Sequence, residues 1–212
     1  MEINKELAAK VLETVDFGLC SGVGEPVPGK MCVEAAVNYA MGREHGDEPS
    51  CVGAAVRRFK IELNDANWSS NLARAAGMRK IAIAQLGSDK LDQIEFARKM
   101  AIRNTQVVLP VLFRKLEMEE IAKRCEDAND LEYAESAAKY AESAAESAEY
   151  AAEYAAKSAA KYAAESAKYA AKYDAEYDPD YFFKLSAQVC LDVLIDMNST
   201  GCEFLFLCDG EK

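Results

Sequence analysis

The stretch YAESAAKYAESAAESAEYAAEYAAKSAAKYAAESAKYAAKYDAEY, residues 133–177, is written almost entirely in Ala, Ser, Tyr, Glu and Lys. It contains no Gly, no Pro and no β-branched residue. Ala is the strongest helix former and Glu and Lys follow closely, so the stretch reads as one unbroken helix. Tyr or Ser recurs from 133 to 177, 44 residues in 12 steps, a mean spacing of 3.67. A 3.5-residue repeat would supercoil to the left, whereas 3.67 gives a straight or slightly right-handed helix. At about 1.5 Å per residue the predicted rod is about 70 Å long.

Ala follows almost every Tyr or Ser, and the two kinds of position share one side of the helix. Ala141, Ala144, Ala148, Ala151, Ala155 and Ala159, with Tyr154 and Tyr162 beside them, are the expected contacts with a second helix. The alternative is a solvated single helix held by side-chain pairs three and four apart. Eight Tyr on such a helix would make a poor surface, so docking is the expected state. Charge order adds direction. Residues 135–153 carry five Glu and one Lys, and residues 157–172 carry four Lys and one Glu. Two copies side by side repel when parallel and attract when antiparallel.

Outward from the rod, the chain divides into a head at 1–128, the repeat helix at 129–178 and a C-terminal part at 179–212. In the head, apolar residues recur at three- and four-residue spacings, the mark of helices packed on helices. The expected fold class is all-α: a compact helical head, one long Ala-rich helix, and a short C-terminal helix with an extended tail. A helix is expected at 88–104 with Ser88 as its cap, and another at 107–125 with Pro110 in its first turn. KIAIAQL (80–86) suits a helix or a short buried strand, and CEFLFLC (202–208) suits a buried strand or extended tail. Thirty-four residues cannot bury the apolar surface of the last part alone. A rod of about 70 Å outruns a C-terminal helix of about 27 Å, which leads to docking on the head of a second chain in a two-fold dimer.

The totals narrow the function classes. A net charge of −11 argues against a nucleic-acid partner, whose binding rests on neutralising phosphates. No apolar run reaches the roughly 18 residues that cross a bilayer, so no membrane partner is expected. Seven Cys without paired short spacings, and no basic-then-apolar leader, point to a cytoplasmic protein with free thiols.

Candidate chemistry is sparse. Gly24 to Lys30 spells G-x-x-x-x-G-K, but Met31 stands where a phosphate loop needs Ser or Thr, and Pro26 and Pro28 remove two amides. Weaker anion capture near Lys30 at a helix start remains as a reading. Cys32 sits at that same start, where a thiol pKa tends to fall, and with His45 and Asp47 it sketches a Cys-His-Asp nucleophile. A zinc site from Cys20, Cys32, His45 and Cys51 has no common spacing, and no metal or cofactor is expected. Asn64, Trp68, Ser69, Asn71 and Arg74 can line a small-molecule pocket, although a helix cap at Asp65 or Asn67 with Trp68 as its staple is the stronger reading. Arg57, Arg58 and Lys60 read as a solvated face.

The segments GEPVPGKMCVEAAVNYAMGREHGDEPSCV, LNDANWSSNLARAAGMRKIAIAQLGS and VLIDMNSTGCEFLFL resemble a group of bacterial and phage proteins. That group shares these flanking parts around an Ala-rich helical middle of varying length. The resemblance implies that architecture and carries no activity. The leading expectation is a non-enzymatic assembly protein, a homo-oligomer whose long helix pairs antiparallel with a second copy. The next is a protein that binds or sequesters a small anionic, nucleotide-like ligand, as a phage counter-defence factor would. The last is a Cys-dependent hydrolase.

Overall fold

A computed structural model describes residues 2–115, 117, 119–127 and 178–209. The Ala-rich run, with the pairing positions from Ala141 to Tyr162, lies outside the described residues. Seven α-helices follow in order: α1 (Lys5–Asp16), α2 (Val33–Ala40), α3 (Ala54–Asp65), α4 (Asn71–Ala84), α5 (Gln93–Lys115), α6 (Glu119–Glu126) and α7 (Tyr181–Asp196). Two 3-10 helices, Ser88–Lys90 and Thr200–Cys208, complete the described residues. No strand forms among them, only an antiparallel bridge between Gly24 and Met31. The protein is all-α, and no described helix is long and apolar enough to cross a membrane.

Side-chain caps set the helix starts. Asn4 accepts from the Leu7 N–H at 3.0 Å, and Ser70 accepts from the Ala73 N–H at 3.1 Å. Asp92, not Ser88, caps α5, accepting from the Ile94 and Glu95 N–H groups at 2.9 and 3.0 Å. Ser88 instead accepts from the Gly53 N–H at 3.0 Å, at the head of α3. Pro110 lies inside α5 rather than opening a new helix. An interior Pro costs about 3 kcal/mol; burial of Phe96, Met100 and Val108 on the same helix offsets it.

The two ambiguous apolar runs are both helical. KIAIAQL spans the end of α4 and the turn after it, where Ile81, Ala82, Ile83 and Ala84 are all buried. This helix packs against α1, α2, α7 and the C-terminal 3-10 helix. CEFLFLC is 3-10 helix, neither strand nor extended tail. Its position on α4 is fixed by backbone. Gly201 donates to the Leu86 carbonyl at 2.7 Å, and the Ser199 hydroxyl donates to the Ala84 carbonyl at 2.6 Å. A Cβ at Gly201 would overlap the Ile83 carbonyl oxygen, so the approach requires glycine.

Helix α7 settles where the C-terminal part docks. It packs on α3, α4 and α5 of its own chain, with Phe182, Phe183, Cys190 and Leu194 fully buried. The expectation of a second chain as the docking surface is thereby corrected. Its nine buried residues face the core, and Lys184, Gln188 and Asp192 form the exposed stripe opposite. Asp180 secures the join. Its carboxylate accepts from the Ser69 N–H at 2.8 Å and the Ser69 hydroxyl at 2.5 Å, while Phe183 lies 5.1 Å from the Trp68 ring. Asp180→Ala leaves that N–H without its acceptor and is expected to cost about 1–3 kcal/mol. Urea unfolding checks this, and an unchanged midpoint would contradict the seam.

Candidate functional site

The segment between α1 and α2 is a closed turn. Glu25 donates to the Lys30 carbonyl at 2.7 Å, Lys30 to Val27 at 2.9 Å, Cys20 to Met31 at 3.0 Å and Cys32 to Val23 at 3.3 Å. Gly24 has φ of +72°, and a Cβ there would overlap the Lys30 carbonyl oxygen. The N–H groups of Glu25, Val27 and Lys30 are engaged inside the turn, and Pro26 and Pro28 have none. Lys30 is exposed and pairs with Glu25 at 3.3 Å.

Arg74 gathers three segments around that turn. Its guanidinium donates to the carbonyls of Asn64 (2.7 Å), Leu19 (3.0 Å) and Ala66 (3.4 Å) and to the Asn71 side chain (2.7 Å). Asn64 is buried, accepts from the Val33 N–H at 3.3 Å and donates to the Cys20 carbonyl at 2.8 Å. Trp68 is buried and donates to the Leu63 carbonyl at 2.8 Å, its ring lying over Gly77. Ser69 is held by Asp180. The structure thus brings Asn64, Trp68, Ser69, Asn71 and Arg74 together as an internal fastening of the α3–α4 junction. Lys30 stands apart from it.

The three candidates for nucleophilic chemistry divide. Cys32 caps α2, its sulfur accepting from the Ala35 N–H at 3.4 Å. Burial pushes its thiol up to about 11, outweighing the backbone N–H groups that draw it down. The fall expected for a thiol at a helix start is therefore reversed. Asp47 lines a cavity of about 110 Å³ with Cys32. His45 does not line it; Nε2 donates to the Gly24 carbonyl at 2.9 Å. Among the described residues no three His, Cys, Asp or Glu side chains converge as metal ligands, the Cys20, Cys32, His45 and Cys51 set included.

The most unusual electrostatic feature is a buried ion pair between α2 and α3. Lys60 is not on a solvated face: it is fully buried, 2.9 Å from the fully buried Glu34. Arg57 and Arg58 do reach solvent and pair with Glu48 and Glu62. The buried residues of α3 include Val56, Phe59, Lys60, Leu63 and Asn64. That is the i, i+3, i+4, i+7, i+8 stripe of a core-facing helix, so Lys60 lies on the apolar face by spacing alone. Neither Glu34 oxygen nor the Lys60 ammonium has a hydrogen bond of good geometry despite the short contact. Burial raises the Glu34 carboxyl above its ordinary range, and Lys60 opposes that rise. No known family, curated protein or solved structure matches the chain.

Removing one partner strands a charge in the core, so Glu34→Gln and Lys60→Met each cost about 3–5 kcal/mol. The double variant Glu34→Leu/Lys60→Met recovers most of that loss. A raised carboxyl holds its proton more tightly in the folded chain than in the unfolded one. Its stabilisation is therefore full below the ordinary carboxyl range and is lost as pH rises through the elevated value. Urea midpoints of wild type and the double variant across pH read both effects; single variants as stable as wild type contradict the pairing. Iodoacetamide near neutral pH, read by peptide mass spectrometry, should leave Cys32 and Cys190 unlabelled until denaturant is added. Alkylation of Cys32 faster than free cysteine would restore the nucleophile.

Proposed function

We propose that the protein is a non-enzymatic assembly protein, in which a helical head carries the Ala-rich run and the run joins copies of the chain antiparallel. The observation that carries this reading is where the run begins and ends. Asp127 closes α6, which packs on α5; Asp178 precedes α7, which packs on α5 as well. The residues that flank the run, Asp127 and Asp178, thus adjoin helices packed on the same α5. Its Ala and Tyr positions supply the pairing surface, and its acidic-then-basic order supplies the orientation.

Light scattering of the full chain across a concentration series is expected to give a dimer. A variant with 131–177 replaced by about 20 Gly/Ser residues, long enough to rejoin the ends, is expected to be a folded monomer. A full chain that is monomeric at every concentration overturns the reading. A variant that stays dimeric removes the run's part in it.

A further inference from the structure

The cleft between α4 and α7 collects positive charge on a chain whose net charge is −11. Its cavity holds about 310 Å³, and its charged lining residues are Arg79, Lys80 and Lys184; no Asp or Glu lines it. Two other cavities are lined by carboxylates instead, Glu13 and Asp16 beside α1, and Glu34, Asp47 and Asp65 at the start of α2. The rest of the α4–α7 lining is largely apolar, with Ile81, Ala187 and Leu191 buried along it. Cys208 adds a thiol that burial raises, so it is uncharged near neutral pH.

The cations are held from outside the cavity. Arg79 gives three N–H groups to Asp16 and the Cys208 carbonyl. Lys80 pairs with Asp209 at 2.9 Å, and Lys184 with Asp178 at 2.7 Å. None of these three aspartates lines the cavity. A guanidinium carries five N–H donors and an ammonium three, so each cation has donors beyond those its partners take. The Lys80 and Lys184 pairs are exposed, and pairs of that kind are weak and screened. They position the two ammonium groups without barring a further anion from them.

Charge, size and apolarity together narrow the occupant. An organic cation is repelled by three like charges. A bare inorganic anion would leave the apolar wall of Ile81, Ala187 and Leu191 uncovered and forgo what its burial contributes. Sites for small molecules begin at about 300 Å³, and this cavity meets that lower bound. A phosphate monoester brings about two negative charges near neutral pH and three acceptor oxygens, enough for several cations at once. Guanidinium forks bind phosphate oxygens in pairs.

We propose that this cavity binds a small phosphate monoester with an apolar body the size of one aromatic ring. The phosphate lies at Arg79, Lys80 and Lys184, and the body lies against Ile81, Ala187 and Leu191. The site makes no use of the Ala-rich run, so this binding and the pairing of copies stand or fall separately. The test uses the full chain, ¹⁵N-labelled, titrated with phenyl phosphate at constant ionic strength. The expected result is a saturable shift of the Gly77, Lys80 and Gln188 amides. Benzyltrimethylammonium, with the ring but the opposite charge, should leave them in place, and inorganic phosphate should bind about tenfold more weakly. Lys184→Gln is expected to weaken binding about tenfold while the melting temperature holds. Lys10→Gln, an exposed lysine on α1, should keep full affinity. No saturable shift up to about 10 mM phenyl phosphate overturns the proposal. So does an equal response to benzyltrimethylammonium, equal affinity for inorganic phosphate, undiminished binding in Lys184→Gln, or an equal loss in Lys10→Gln. Should Lys184→Gln fail to fold, Lys80→Gln provides the same comparison, and full affinity there is equally fatal.

Discussion

Helix α7 keeps one stripe for solvent and buries the rest of its circumference, and the head is arranged to receive it. Nine of its 16 residues are buried, from Phe182 at one end to Leu194 at the other. The stripe of Lys184, Gln188, Asp192 and Ile195 faces solvent, so the helix lies in a groove of the head. Helices α3, α4 and α5 form that groove, although all three precede α7 by more than 60 residues. The core therefore cannot be completed until the last part of the chain has arrived. Burying side chains the size of Phe182 and Phe183 contributes about 1.5–3 kcal/mol each. The C-terminal 3-10 helix also sits close to α4, where Gly201 lets backbone meet backbone.

Against that apolar centre stand two polar devices with opposite logic. Arg74 is satisfied: four acceptors from the α1–α2 turn, the end of α3 and the start of α4 converge on one guanidinium. Its planar fork suits several carbonyls at once, which an ammonium would not match. The Glu34–Lys60 pair is close but poorly aligned, and its remaining hydrogen-bonding capacity is unmet. A buried pair of that kind rarely adds stability over an apolar pair of equal volume. Glu34 also lines the cavity it shares with Cys32 and Asp47, which sets that corner apart from the Arg74 junction.

Much of the architecture was legible because the signals were local. The apolar periodicity of α1 to α3 needed only neighbouring residues, whereas the cap of α4 is Ser70 rather than Asp65 or Asn67. What failed was non-local. KIAIAQL gave no clear period because α4 is covered by several elements there, and a helix buried all round loses its polar stripe. The break expected near Pro110 is absent because packing of α5 outweighs the local preference. Lys60 was misplaced through its basic neighbours Arg57 and Arg58, although its spacing from Val56, Phe59 and Leu63 already put it on the core face. Glu34, in the apolar context MCVEAAV, carried the matching signal for its partner. The cavity beside Cys32 involves Gly22, Asp47 and Asp65 from three separate segments, and no spacing rule joins those.

Anchoring both ends of the Ala-rich run in one core has a thermodynamic consequence for how the two parts can vary. The entropic cost of joining Asp127 to Asp178 through intervening chain rises only about 0.6 kcal/mol for each doubling of length. The core that receives α7 gains far more than that from burial, so the length of the run is nearly decoupled from the stability of the head. Under the proposed antiparallel pairing, by contrast, association would scale with the number of Ala, Tyr and charged positions in the run. On that proposal, length would tune association while leaving the fold of the head unchanged, a separation that a rod linking two mutually dependent halves would not allow.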